Sequence, residues 1–224
     1  MKKKTMLLAL AAVSAAMLAL PAMASALEPL HLNPTPKGAK EIHGGVGVLS
    51  TTGGTTITCN TVGGSATFNA GGTTGTMELT FTGDCRESIF NTTCRSTGQV
   101  NGTITTTELP FDLVTLNGTE EGVTPPGVLV TPNASGAFAH VICAGGLVTF
   151  TVDGNGVIGT IEQKCDETSE RADIDFNATK HGQQEHKTVK GTETEYDLTK
   201  DGETAAQDAT GTVTFKENIK LECS

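Results

Sequence analysis

His181 and His186 flank Gly182-Gln183-Gln184-Glu185 in a polar stretch, and paired imidazoles are a common start for a metal site. Their spacing is not the i, i+4 register that puts two histidines on one helix face. In an extended chain, residues five apart point to opposite faces, so the pair reads as two solvated histidines. His140, between Phe138 and Ile142 in an alternating run, falls on the face expected to be buried. It reads as a hydrogen-bonded structural histidine, with a catalytic base as the alternative. Hydrolysis would also need a nucleophile beside it. The nearest approach to a nucleophile elbow, Gly63-Gly64-Ser65-Ala66-Thr67, lacks the final glycine and a following helix.

Asp153-Gly154-Asn155-Gly156 has oxygen donors at i and i+2, as calcium loops begin. It lacks a third ligand and a distal glutamate, and apolar Val157 and Ile158 follow at once. Asp-Gly and Asn-Gly accept positive φ, so a hairpin turn is the stronger reading. The acids Glu193, Glu195, Asp197, Asp201 and Glu203 suit weak calcium better, against the plainer role of a solvated strand face. Asn-x-Ser/Thr sequons occur at Asn91, Asn101, Asn117, Asn133 and Asn177, as chance provides in a chain with 38 threonines. Sugar-stacking platforms are scarce, with no Trp and Tyr196 alone. The sequence therefore assigns no catalytic residue, no cofactor and no metal ligand.

The cysteines and the first residues say more about where the protein works. Lys2, Lys3 and Lys4 precede an apolar run from Met6 to Leu20, Pro21 breaks it, and Ala24-Ser25-Ala26 suits signal peptidase. An export signal over 1–26 is expected, with cleavage after Ala26. The run is too short for an anchor, and no later segment approaches spanning length. Secretion follows, with cell-envelope association as a variant. The mature chain carries 12 basic and 25 acidic residues, a net charge of −13. That charge repels phosphate backbones and speaks against nucleic-acid binding. Cys59, Cys85, Cys94, Cys143, Cys165 and Cys223 form an even set without a CxxC pair. In an exported chain this means disulfides, with fifteen possible pairings.

The elements that must position these residues are strands. In Thr76-Met77-Glu78-Leu79-Thr80-Phe81-Thr82 apolar and polar residues alternate without error. The same period of two recurs at Val148–Val152, Ile174–Phe176, Val213–Phe215 and Ile219–Leu221. One buried face and one wet face is the mark of an antiparallel sheet. Turns such as Gly63-Gly64, Gly71-Gly72, Asn117-Gly118 and Asp201-Gly202 separate the runs. About ten to thirteen strands are expected in a β-sandwich, with a β-solenoid as the rival. Residues 27–45, crowded with proline and glycine, read as a flexible arm ahead of a domain over 46–224. Residues 27–161 carry ten acids and 162–224 carry fifteen, a shift that marks either a sub-lobe or an added sheet from Glu162; one continuous sandwich, or a lobe docked tightly onto it, is the favoured reading.

Thr56-Ile57-Thr58-Cys59, Leu79-Thr80-Phe81-Thr82-Gly83 running into Cys85, Cys94-Arg95-Ser96-Thr97-Gly98, Gly102-Thr103-Ile104-Thr105 with Leu109, and Asn155-Gly156-Val157-Ile158-Gly159 carry a resemblance. They are similar to exported, Thr/Gly-rich, disulfide-containing β proteins of soil actinobacteria, over roughly Val46 to Cys223. That resemblance implies a fold and no activity. The preferred cysteine pairing is Cys85 with Cys94, closing a short polar loop, Cys59 with Cys143, and Cys165 with Cys223. The leading expectation is a secreted or surface-exposed, non-enzymatic protein, structural, adhesive or binding, whose ligand lies outside the cell or in its envelope. The alternatives are an extracellular hydrolase with a loop-built site and a calcium-stabilised binding module.

Overall fold

A computed structural model describes residues 30–117, 124–179 and 181–223. The expected export signal lies outside these residues. The strands are β1 (His31–Asn33), β2 (Lys40–Thr51), β3 (Thr56–Cys59), β4 (Thr61–Phe68), β5 (Thr74–Thr82) and β6 (Arg86–Glu87). They continue with β7 (Thr92–Ser96), β8 (Ile104–Thr105), β9 (Leu109–Thr115), β10 (Pro126–Val130) and β11 (Ala137–Cys143). The last are β12 (Val148–Gly154), β13 (Val157–Ile161), β14 (Thr168–Phe176), β15 (Leu198–Lys200) and β16 (Glu203–Glu222). One 3₁₀ turn at Ala144–Gly146 is the only helical element among the described residues. No helix among them is long and apolar enough to cross a membrane. The fold is all-β and antiparallel, as the alternation requires, with sixteen strands hydrogen-bonded into one continuous sheet.

The seam of that sheet is the ribbon of β2 and β16, paired from Thr51↔Ala205 to Glu41↔Thr214. The other edge of β2 takes two partners in turn, β4 along Lys40–Gly44 and β3 along Gly47–Ser50. The other edge of β16 likewise takes β15 at Glu203–Ala205 and β14 from Ala209 onward. Two runs of pairing therefore leave β2 and return to β16. One passes through β4, β5, β9, β10, β13 and β14; the other passes through β3, β6, β7, β11, β12 and β15. Closure of both circuits leaves few open ladder edges, the usual hazard of a β protein. At the fork, Gly45 and Val46 together face Thr210, because Gly44 pairs with Gly211 and Gly47 with Ala209. This bulge switches the inward parity of β2 from Lys40 and Ile42 to Gly47, Leu49 and Thr51.

One main core cluster spans both circuits, from Leu30 and Leu32 to Phe215, Ile219 and Leu221. Phe68 packs edge-on against Phe111 with ring centroids 5.2 Å apart and lies 6.1 Å from Phe215. Each such side chain contributes about 1.5–3 kcal/mol by leaving water. One expectation changes here. Residues 30–45 are no tether: Leu30, Leu32 and Ile42 are buried, and β1 pairs with the end of β16. Residues 162–224 are woven through the sheet, with β14 on β13, β15 on β12 and β16 on β2.

The cysteine pairing also differs from the preferred one. The bridges are Cys59–Cys85, Cys94–Cys143 and Cys165–Cys223. Only the last was expected. The ladders supply the reason, since Thr58 pairs with Arg86, Arg86 with Thr93, and Cys94 with Cys143. Extended by one residue, these registers put Cys59, Cys85, Cys94 and Cys143 in one row across β3, β6, β7 and β11. All four are almost fully buried. Pairing the inner two would strand the outer two about 14 Å apart, at roughly 4.8 Å per strand. A disulfide does not reach across Cα atoms more than about 7 Å apart. Only the neighbouring pairs at each side use all four.

Candidate functional site: an apolar cavity at the fork

The residues singled out by type do not assemble. His140 is exposed on β11, where Nδ1 lies 3.2 Å from Thr151 Oγ1. The nearby Asp201 carboxylate accepts the Thr151 backbone N–H at 3.1 Å, with no hydrogen bond to the imidazole. The expectation of burial fails because β11 has a register shift between Ala137 and Ala139. Beyond it Ala139, Val141 and Cys143 point inward, and His140 points out. His181 is exposed in a turn closed by Gly182 N–H donating to Thr179 O, and His186 is half-buried. Among the described residues, no group of three or more His, Cys, Asp or Glu side chains could hold a metal ion.

The calcium-like turn is a fastening point. Asp153 accepts a hydrogen bond from the Thr199 hydroxyl, and Asn155 Oδ1 accepts from Asp197 N–H at 2.8 Å. Asn155 Nδ2 donates to Glu195 O at 2.8 Å. These contacts hold the segment before β15 against the β12–β13 hairpin. Glu203 accepts from Gly53 N–H in the same manner. Buried Gln184 ties the 177–185 segment to β16, donating to Asn177 O at 2.9 Å and accepting from Gln207 N–H at 3.2 Å.

What the fold builds instead is a hollow. A partly open cavity of about 120 Å³ lies where the two circuits part, lined by residues from both. Its origin is a lateral row across five strands: Ile174 pairs with Gly211, Gly211 with Gly44, Gly44 with Val62, and Val62 with Phe81. The ribbon supplies glycine at the middle of this row, and Gly47 and Ala209 occupy the next pair along. The flanking strands supply bulk. Phe81 leans over Gly47, where a Cβ would lie 2.9 Å from two ring carbons. Leu79, Phe81, Ile174 and Phe176 pack against the main core cluster yet are only half-buried, and all four line the hollow.

The lining is apolar apart from Thr106, Gln207 and Thr210. Thr106 Oγ1 accepts Leu79 N–H at 3.0 Å, and Gln207 Nε2 donates to Asp208 O at 3.2 Å. Neither buried side-chain atom without a partner among the described residues, Thr92 Oγ1 and Gln163 Oε1, belongs to the lining. A water molecule wants two to four polar partners, so this space favours apolar matter. Sequence reading missed the site, although glycines at inward strand positions, such as Gly47 and Gly211, are a readable sign of withheld bulk. In comparison with known proteins, the chain matches no family model, no curated protein and no solved structure.

Proposed function

We propose that this is an exported, non-enzymatic β scaffold that acts outside the cytoplasm in a structural, adhesive or binding role. The observation that carries the reading is the cysteine chemistry. All six cysteines are cross-linked, four of them in one buried row. Such bridges form and persist in oxidising compartments and are rare in the cytosol. The basic start and Ala24-Ser25-Ala26 of the sequence, and its resemblance to exported proteins of soil actinobacteria, support the same reading. So does the surface: Asp153, Asn155, Asp201 and Glu203 each hold a turn or strand in place.

Intact-mass analysis of protein recovered from culture medium and from cytosol tests this. The expected product lies in the medium, begins at Leu27 and lacks six hydrogens. A panel of ester, peptide and glycoside substrates should show no turnover, and millimolar calcium should leave Tm unmoved. Full-length reduced protein confined to the cytosol would overturn the reading, as would turnover lost in His140→Ala.

A further inference from the structure

We infer that the cavity at the fork is a binding site for one small, uncharged, apolar molecule, such as a single aromatic ring or a short branched hydrocarbon. The inference rests on the cavity alone and is independent of where the protein is exported. A hollow of about 120 Å³ is close in size to apolar cavities of about 150 Å³ that stay dry and take up benzene or xenon. Dispersion is the available attraction, since lining atoms that face a void lack partners on one side. Thr106 and Gln207 already have protein partners, which leaves the exposed Thr210 hydroxyl as the remaining polar side chain, so a ligand with a charge or several polar atoms would lose most of its hydration without replacement. The site is also built by design of the ladder. Gly211 lies in regular strand, and a Cβ there would sit 3.6 Å from Ile42 Cγ2, an ordinary contact. A larger residue would fit the backbone at Gly211, and glycine keeps the space open.

Methyl NMR spectra of the native, oxidised protein titrated with benzene, and with benzoate as the charged ring of the same shape, test the proposal. Benzene should give saturable one-site shifts at Ile42, Val62, Leu79, Val130 and Val152. At ten times Kd the folded state gains an elevenfold preference, a rise in Tm of roughly 3–6 °C for a chain of this size. Benzoate should produce neither effect. Gly211→Val and Ala209→Leu, which fill the space, should abolish the shifts while the proteins remain folded. Leu147→Ser, on a residue 90 % exposed, should leave binding intact and exclude adsorption to the surface. The proposal is overturned by an absence of saturation, by equal response to benzoate, or by binding that survives in a folded filled variant. Should both filled variants fail to fold, the benzene–benzoate contrast still decides.

Discussion

The two circuits that share the β2–β16 ribbon are held together by different means. The circuit through β4, β5 and β14 has strands of eight, nine and nine residues. The circuit through β3, β6 and β15 has strands of four, two and three. A two-residue strand gives little ladder and almost no alternating face. Both bridges of the cysteine row, Cys59–Cys85 and Cys94–Cys143, lie in this second circuit. Two of the three covalent closures thus stand where the ladders are shortest, while the first circuit carries Cys165–Cys223 alone and has the longer ladders. The difference explains how a chain with no Trp and eight Phe can close a large sheet.

Breaking the row should therefore have the largest effect. On the chain-entropy model, loops of 26 and 49 residues contribute about 3.5 and 4 kcal/mol. Cys85→Ala with Cys94→Ala removes both, leaves Cys59 and Cys143 too far apart to join, and costs about 7–8 kcal/mol. Thiol titration of this variant should find two free sulfhydryls. Cys59→Ala with Cys143→Ala leaves the inner neighbours, which should oxidise to a Cys85–Cys94 bridge and recover about 2.5 kcal/mol. Equal denaturation midpoints for the two variants would break the account of the row. Hydrogen exchange should accelerate first in β7 and β11, with β4 and β5 protected.

The long-stranded circuit should answer to packing. Leu109→Ala on β9 removes a side chain only 2 % exposed and should cost about 3 kcal/mol, measured by urea unfolding. Gly44→Ala tests the ribbon between the circuits. Its Cβ would lie 2.2 Å from the Thr210 carbonyl oxygen, which is backbone and cannot swing aside. A loss of about 1–3 kcal/mol is expected, as for overpacked cores. Gly211→Ala, where the new methyl finds ordinary contact, should be neutral or stabilising.

The strands of both circuits were legible because alternation is a local property: Met77 is buried and Glu78 exposed as their order implies. What escaped reading depends on pairing between distant strands. Cys85 and Cys94 are close in sequence and adjacent in the row, yet each turns to its outer neighbour because all four sulfurs must be satisfied together. His140 lies in a correct strand but on the wrong expected face, since one register shift at Ala137–Ala139 inverts the parity beyond it. The bulge at Gly45-Val46 does the same in β2 and leaves Val46 half-exposed. Proline and glycine at 27–45 suggested a tether, whereas Leu30 and Leu32 supply enough buried surface to hold β1. The cavity combines these non-local facts, because it exists only once Gly47 and Gly211 are seen beside Val62, Phe81 and Ile174.

The smallest expected effect separates the two ends of β14 by pH. Near its C-terminal end, the Asp175 carboxylate, as hydrogen-bond partner and as like charge, holds Glu162 above the usual carboxylate range, with lost hydration and Asp173 adding to it. A folded-state value above the unfolded one means that the native protein binds the extra proton. Stability therefore falls as pH rises from the ordinary glutamate value through the raised one, and Glu162→Gln should remove that part of the profile. At the other end, Glu222 is held low, first by the hydrogen bond from Asn33 at 3.0 Å and also by Lys220 and His31. Its contribution is present above the ordinary glutamate value and is lost as pH falls through the lowered one. Lys220, raised chiefly by its hydrogen bond to Asp166, contributes below the ordinary lysine value and loses that contribution as pH rises through the raised one. Relative to wild type, acidification should thus lower the unfolding midpoint of Glu162→Gln and raise that of Glu222→Gln. A shared direction would mean that one of the two carboxylates does not sense the neighbours its strand gives it.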